Sequence, residues 1–190
     1  IMGHVSRYFS NINTQYNPIF GAVNLTRDTQ AMALQLSTTP LKDKKAEVAK
    51  KLPGAIKAIY RVERARTKNK QVDLNSLNTD QQNFTKYYEE FENSGAKTGY
   101  RDQFNNSEDR QKALQKELDR MESGVGKKGF RATLDWLTNY NDALENATRL
   151  SVYMTARELG IGQDSAAAIA KNITTNFNKK GKSVSQLNAM

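Results

Sequence analysis

Four cations at helical spacing are the first candidates for chemistry in this chain. Lys57, Arg61, Arg64 and Lys68 fall at i, i+4, i+7 and i+11, a repeat that gathers them on one ridge of an α-helix. Like charges so placed repel by a few tenths of a kcal/mol per pair, so the ridge costs helix stability unless an anion answers it. Lys50 and Lys51, with Lys44 and Lys45, extend the same basic stretch. Such a ridge suits contact with phosphates irrespective of base sequence, because the segment has neither a recognition-helix signature nor interleaved aromatics for base stacking. An anionic lipid surface is the alternative partner, although the helix lacks the Trp and Phe of an interfacial anchor. A lysine-rich face that is merely solvated is the plain alternative to both.

A second constellation lies near the C-terminal third, where Glu145, Asn146, Thr148 and Arg149 interrupt an otherwise apolar helix. A buried guanidinium has to be paired and hydrogen-bonded. Glu145, one turn away, or Asp28, next to Arg27 on an earlier helix, is the expected partner. Catalysis there would need a nucleophile, a base or a metal ligand beside Arg149, and the sequence supplies none. Ser94-Gly95-Ala96-Lys97-Thr98 superficially resembles a phosphate loop, but Ala96 separates the glycine from the lysine and an aromatic helix, not a strand, leads in. His4 is the single histidine and there is no cysteine, so no thiolate nucleophile, disulfide or Cys-based metal site is available. No catalytic residue, cofactor or metal ligand is expected.

The elements that must position these groups are all helical. The 190 residues suffice for one domain with a sizeable core, and 37% apolar with 26% charged residues is a folding composition. No window is apolar enough for a membrane span: the charge-free run from Tyr8 to Thr26 is broken by Ser10, Asn11, Asn13, Thr14, Gln15, Asn17 and Asn24. The start, Ile1-Met2-Gly3-His4, reads as the boundary of a fragment of a larger multi-domain protein. The net charge of +9 is concentrated: from Leu41 to Lys70, eleven Lys or Arg face only Asp43, Glu47 and Glu63. Lys171, Lys179, Lys180 and Lys182 form a second cluster, whereas Asp80 to Glu122 is net acidic. That asymmetry favours a polyanion partner.

Along the chain, Val5 to Ile12 reads as a short helix. Asn17-Pro18 is a cap followed by proline at the first helical position, opening a helix to about Ser37 with Phe20, Val23, Ala31 and Leu34 on one side and Ala22, Leu25, Met32 and Leu36 on another. Thr39-Pro40 repeats the signal for a helix to about Leu52, which Pro53-Gly54 breaks or kinks. Ala55 to Lys68 follows. Thr79-Asp80-Gln81-Gln82 fits a capping box, with Phe84, Tyr87, Tyr88 and Phe91 as a core stripe behind it and Ser94 to Gly99 as the closing loop. Ser107 caps a helix to about Glu122, closed by Gly124-Val125-Gly126. Phe130 to Leu159 is a long central helix, its stripe of Trp136, Tyr140, Ala143, Ala147, Leu150 and Met154 widened by Leu134, Leu137 and Leu144. It stops at Gly160 in a left-handed cap. Asp164 caps a last helix with Ala166, Ile169, Ala170, Ile173 and Phe177 inward. The expectation is a single all-α domain, residues 1–190, of about six to eight helices around that central one.

Three segments together resemble a known family: Asn17-Pro18-Ile19-Phe20 leading to Asn24-Leu25-Thr26-Arg27-Asp28; Ser94-Gly95-Ala96-Lys97-Thr98-Gly99-Tyr100; and Glu145-Asn146-Ala147-Thr148-Arg149 followed by Asn176-Phe177-Asn178-Lys179-Lys180-Gly181. They look like the helical large polyvalent protein-associated domain found within very long bacteriophage and mobile-element proteins. The resemblance implies one module of a multi-domain protein carried in the virion and delivered with DNA into the host cytoplasm, with any enzymatic activity residing in other modules. The module itself would be a non-catalytic scaffold or interaction surface, its partners DNA phosphates or other parts of the parent protein. The alternatives are a stand-alone basic nucleic-acid-binding domain and an enzyme domain with an unfamiliar site around Arg27, Asp28, Asn146 and Arg149.

Overall fold

The computed structural model describes residues 17–97 and 124–174, with side chains from residue 132 onward in the second stretch. Every regular element among them is helical. In order they are α1 (Pro18–Gln35), α2 (Lys45–Thr67), α3 (Thr79–Asn93), α4 (Gly124–Glu158) and α5 (Gln163–Asn172), with short 3-10 turns at Leu36–Thr38, Lys42–Lys44 and Leu74–Ser76. The helices expected over Val5 to Ile12 and Ser107 to Glu122, and the inward Phe177, lie outside the described residues.

Helix α1 begins where a cap is expected. The Asn17 side chain accepts from the backbone N–H groups of Ile19 and Phe20 at 3.0 and 3.4 Å, with Pro18 in the first turn. Its buried line keeps Leu25, Met32 and Leu36 of the second stripe read in the sequence and adds Gly21 and Asp28, whereas Ala22 and, of the first stripe, Phe20, Val23 and Leu34 face outward. The reason lies at Gly21, where a Cβ would collide with Asn141 and Leu144 of α4. Only a glycine surface lets the two backbones approach so closely.

Helix α2 is one uninterrupted helix of 23 residues, with Pro53 inside it, where the sequence suggested two segments. Thr39-Pro40 opens only turns, and the α-helix starts at Lys45. Gly54 serves packing rather than breakage: the Phe84 ring of α3 occupies the space a Cβ would need. For α3 the capping box is present one residue earlier than read, with Asn78 accepting from the Gln81 N–H at 2.9 Å and Gln81 answering the Asn78 N–H at 3.3 Å. Asparagine is a stronger cap than threonine, and its reciprocal pairing with Gln81 sets the register.

Three helices end in the same way. Asn69, Gly95 and Gly160 each carry a positive φ. After each, the next N–H reaches back five residues: Lys70 to the Ala65 carbonyl, Ala96 to Phe91 and Ile161 to Ala156, at 2.9, 3.2 and 3.0 Å. These are Schellman closures, which satisfy the last carbonyls of a helix; at Gly95 and Gly160 they also fold an apolar residue, Ala96 or Ile161, back onto the core. Ala96 is accordingly buried.

Helix α4 begins at Gly124, six residues before the expected start, so Gly124 and Gly126 belong to it. It packs against α1, α2, α3 and α5. From Ala143 to Ala156 every residue except Glu145 is buried, which is why apolar residues encircle the helix instead of forming one stripe. Trp136, expected in the core, is 46% exposed and stacks on Tyr140. Helix α5 starts from Gly162 with Asp164 in its first turn and not at its cap, and it buries Ala166, Ala170 and Ile173. Tyr88, Phe91 and Tyr153 form the aromatic centre, with Phe91 edge-on to Tyr153 at 5.6 Å.

Gly54→Ala tests the α2–α3 packing. We expect a loss of about 1–3 kcal/mol from overpacking, read as a lowered midpoint in urea. Phe84→Leu in the same chain should recover part of it.

Candidate functional site

The ridge residues sit on the face of α2 opposite its core side. That core side carries Val48, Ala55, Ala58, Ile59 and Val62. Lys50, Lys57, Arg64 and Lys68 are exposed and have no acidic partner within ion-pair distance among the described residues. Arg61 is half-buried and donates to the Thr85 hydroxyl of α3 at 3.4 Å. Lys51 is placed differently. It turns under the helix to pair with Glu47 at 3.3 Å and Glu158 at 2.8 Å. The structure therefore keeps five of the six cations together on or beside the solvent face and assigns Lys51 to tying α2 to the end of α4. Lys44 pairs with Glu47 at 2.9 Å, and Lys45 donates to the Ser37 hydroxyl.

The polar cluster is assembled from α1, α4 and the residue group after α5. Asp28, Asn146 and Arg149 are buried, whereas Glu145 is half-buried and Arg27 is more open. The Arg149 Nε donates to the Thr174 hydroxyl at 2.8 Å, and its terminal nitrogen lies 4.0 Å from the Glu145 carboxylate. Arg27 meets Asp28 at 3.5 Å. Burial pushes the Asp28 carboxyl above its usual range against the pull of Arg149 and Arg27. Burial likewise lowers the Arg149 guanidinium against the opposing pull of Glu145 and Asp28. Both shifts have the sign of desolvation. With Asp28 and Arg149 each 3% exposed, these groups form a sealed set, not an open cleft.

A third cluster is not evident from sequence. Glu63, counted there only as one acid among cations, is buried in α2 and accepts at a single oxygen from the Tyr88 hydroxyl at 2.7 Å, Lys97 at 2.8 Å and Arg66 at 3.1 Å. Lys97 also reaches Glu92 at 2.8 Å, and Arg66 grips Glu92 with two nitrogens at 2.7 and 2.6 Å. The lysine of the phosphate-loop-like segment is thus committed to two carboxylates of its own chain and lies over the Tyr88 ring. Burial works to raise the Glu92 carboxyl, but hydrogen bonds from Arg66 and Lys97 outweigh it and hold the group below its usual range. Burial works to lower the Lys97 ammonium, and its bonds to Glu63 and Glu92 hold it above. Burial and the adjacent Glu63 carboxylate push the Tyr88 phenol up. The available signal was Glu63 itself, four residues after Ile59 and therefore on the apolar stripe. Near the end of α4, Glu90 accepts from Tyr153 at 2.8 Å and Arg157 at 2.6 Å.

Among the described residues, no group of three or more His, Asp or Glu side chains is placed to hold a metal ion, and no helix is long and apolar enough to cross a membrane. His4 and the lysines at 179, 180 and 182 lie outside the described residues.

These pairings are tested by substitution. Arg149→Ala leaves Asp28 and Glu145 without their buried cation and should cost about 3–5 kcal/mol, the usual loss when one partner of a buried pair is removed; an unchanged melting temperature would refute the pairing. For Lys97, whose folded value is raised above the ordinary 10.5, the stabilisation is complete below that pH and lost as pH rises through the folded value. The stability gap between wild type and Lys97→Met, measured by urea titration, should therefore hold steady up to about pH 10 and narrow above it. For Glu92, held below the ordinary 4.5, the gap to Glu92→Gln should hold above that pH and shrink as pH falls below it.

No protein-family model matches the chain, and no curated protein or solved structure matches it.

Proposed function

We propose that this chain is a non-catalytic interaction module that holds nucleic-acid phosphates along α2, forming one helical domain arranged around α4. The observation that carries this reading is the partition of charge. Arg66, Lys97, Arg157, Lys44 and Lys51 meet carboxylates within the fold, while Lys50, Lys57, Arg64 and Lys68 stand exposed in one line without acids among the described residues. A line of cations that repel one another is a cost the fold accepts unless a polyanion neutralises it. At about 1.5 Å per residue the line from Lys50 to Lys68 extends roughly 27 Å, long enough to follow several phosphates of a nucleic-acid backbone. The family resemblance supplies a setting: a segment of a phage polyvalent protein that travels in the virion and meets DNA on delivery, docking to DNA or to its sister modules. The sealed state of Asp28 and Arg149 favours a structural role for that cluster.

Fluorescence anisotropy with a labelled DNA duplex across a salt series tests the reading. Binding should weaken steeply with salt, log K falling by roughly 0.9 per log unit of salt for each phosphate contacted. Lys57→Glu/Arg64→Glu/Lys68→Glu should flatten that slope by about three contacts' worth. Arg61 is left intact in this variant because it also bonds Thr85. Absence of binding at low salt would overturn the proposal.

A further inference from the structure

Resting on the phosphate-contact reading, and going beyond it, the geometry points to single-stranded nucleic acid as the partner, with bases stacking on Trp136 and Tyr140 beside the C-terminal end of the basic line. Trp136 and Tyr140 stack on each other, ring centres 5.5 Å apart and planes 14° from parallel, and Trp136 is 46% exposed. Trp136 lies ahead of the buried stretch from Ala143 to Ala156, in a part of α4 where Ala132 and Thr133 are exposed too.

Its position relative to the cations follows from one contact. Thr67 of α2 and Asn139 of α4 exchange hydrogen bonds of 3.3 and 3.2 Å. Lys51 and Glu158 meet at the other end of the same seam, so the two helices run antiparallel. Arg64 lies three residues before Thr67 and Lys68 one after it; Trp136 lies three residues before Asn139 and Tyr140 one after it. In antiparallel helices the same offsets from a shared contact point to the same flank of the seam. Arg64 and Lys68 therefore lie toward the same flank of the seam as Trp136 and Tyr140. Lys57 and Lys50 continue the cationic track away from the rings.

This is the combination by which single strands are held: a positive groove for the backbone and an aromatic face on which unpaired bases stack regardless of sequence. A duplex keeps its bases stacked within itself and can use only the cations. Indole and phenol faces beside cations thus distinguish the two partners, where the basic line alone does not.

Trp136 is the only tryptophan in the chain, so its fluorescence reports the contact directly. The 190-residue protein is titrated with an oligothymidylate of roughly 12 nucleotides, a length within the site sizes of single-strand-binding surfaces, and with a duplex of the same length, following anisotropy and tryptophan emission together. The expected result is saturable quenching by the single strand and little by the duplex. Trp136→Leu should bind the single strand about tenfold more weakly, and Trp136→Phe should recover most of the loss, with duplex affinity unchanged in both. Single-strand binding that leaves emission unaltered, or that Trp136→Leu does not weaken, overturns the stacking proposal while leaving the phosphate surface standing. Failure of either nucleic acid to bind at low salt overturns both readings.

Discussion

The constraint on which the rest depends is the burial of α4 from Ala143 to Ala156. A helix enclosed on every side can satisfy its side chains only from itself or from neighbours shaped to meet them. Ser151 and Thr155 solve this internally, donating to the carbonyls of Ala147 and Ser151 one turn back at 2.8 and 2.9 Å. Asn146 does the same with Asp142 at 3.2 Å. Arg149 is too long and too charged for that solution. It draws Thr174 from beyond α5, Glu145 from its own helix, and the field of Asp28 from α1. The inward face of α1 is polar at Asp28 for this reason, and glycine at position 21 lets the helix come near enough to present it.

A second buried charge organises the other side of the fold. Glu63 on α2 draws Tyr88 from α3 and Lys97 from the segment after α3, while Arg66 and Glu92 close the ring around it. Lys97 is brought there by the Schellman turn at Gly95, which seats Ala96 in the core and turns the following residue back over Tyr88. Backbone and electrostatic requirements therefore coincide in one short segment. Its glycine and lysine, suggestive of phosphate binding when read as letters, are accounted for by helix termination and by ion pairing.

Much of the helical framework was legible because it follows from local rules. The Asn17-Pro18 start, the left-handed end at Gly160 and the core aromatics of α3 each rest on residues within a few positions of one another. The sequence was less informative where a distant partner decides the outcome. Pro53-Gly54 reads as a break until Phe84 is seen filling the space above Gly54; the inward face of α1 is decided by Asn141 and Leu144, more than a hundred residues away. Thr79 reads as the cap through its spacing to Gln82, whereas the observed box joins Asn78 to Gln81, one residue earlier. Of the candidate residues, the ridge was readable as a repeat of i+4 and i+3 steps, whereas the diversion of Lys51 to Glu158 and the capture of Arg61 by Thr85 required the neighbouring helices to be placed.

Charge placement links these two buried centres to the surface. The second centre consumes Glu63 and Glu92 through Arg66 and Lys97, and at the surface Glu47 and Glu158 are taken up by Lys44 and Lys51. What remains on the outer face of α2 is cationic by subtraction. A solvated face under no other demand would be expected to intersperse both signs, since i, i+4 pairs of opposite charge add helix stability and like pairs remove it. The line from Lys50 through Lys57 and Arg64 to Lys68 does the opposite. It ends beside the stacked rings of α4, where a half-exposed tryptophan costs hydration free energy as well. Two separate costs to the isolated fold, one electrostatic and one hydrophobic, thus meet on the same flank of the α2–α4 seam, and the proposed ligand, carrying phosphates and unpaired bases, would relieve both.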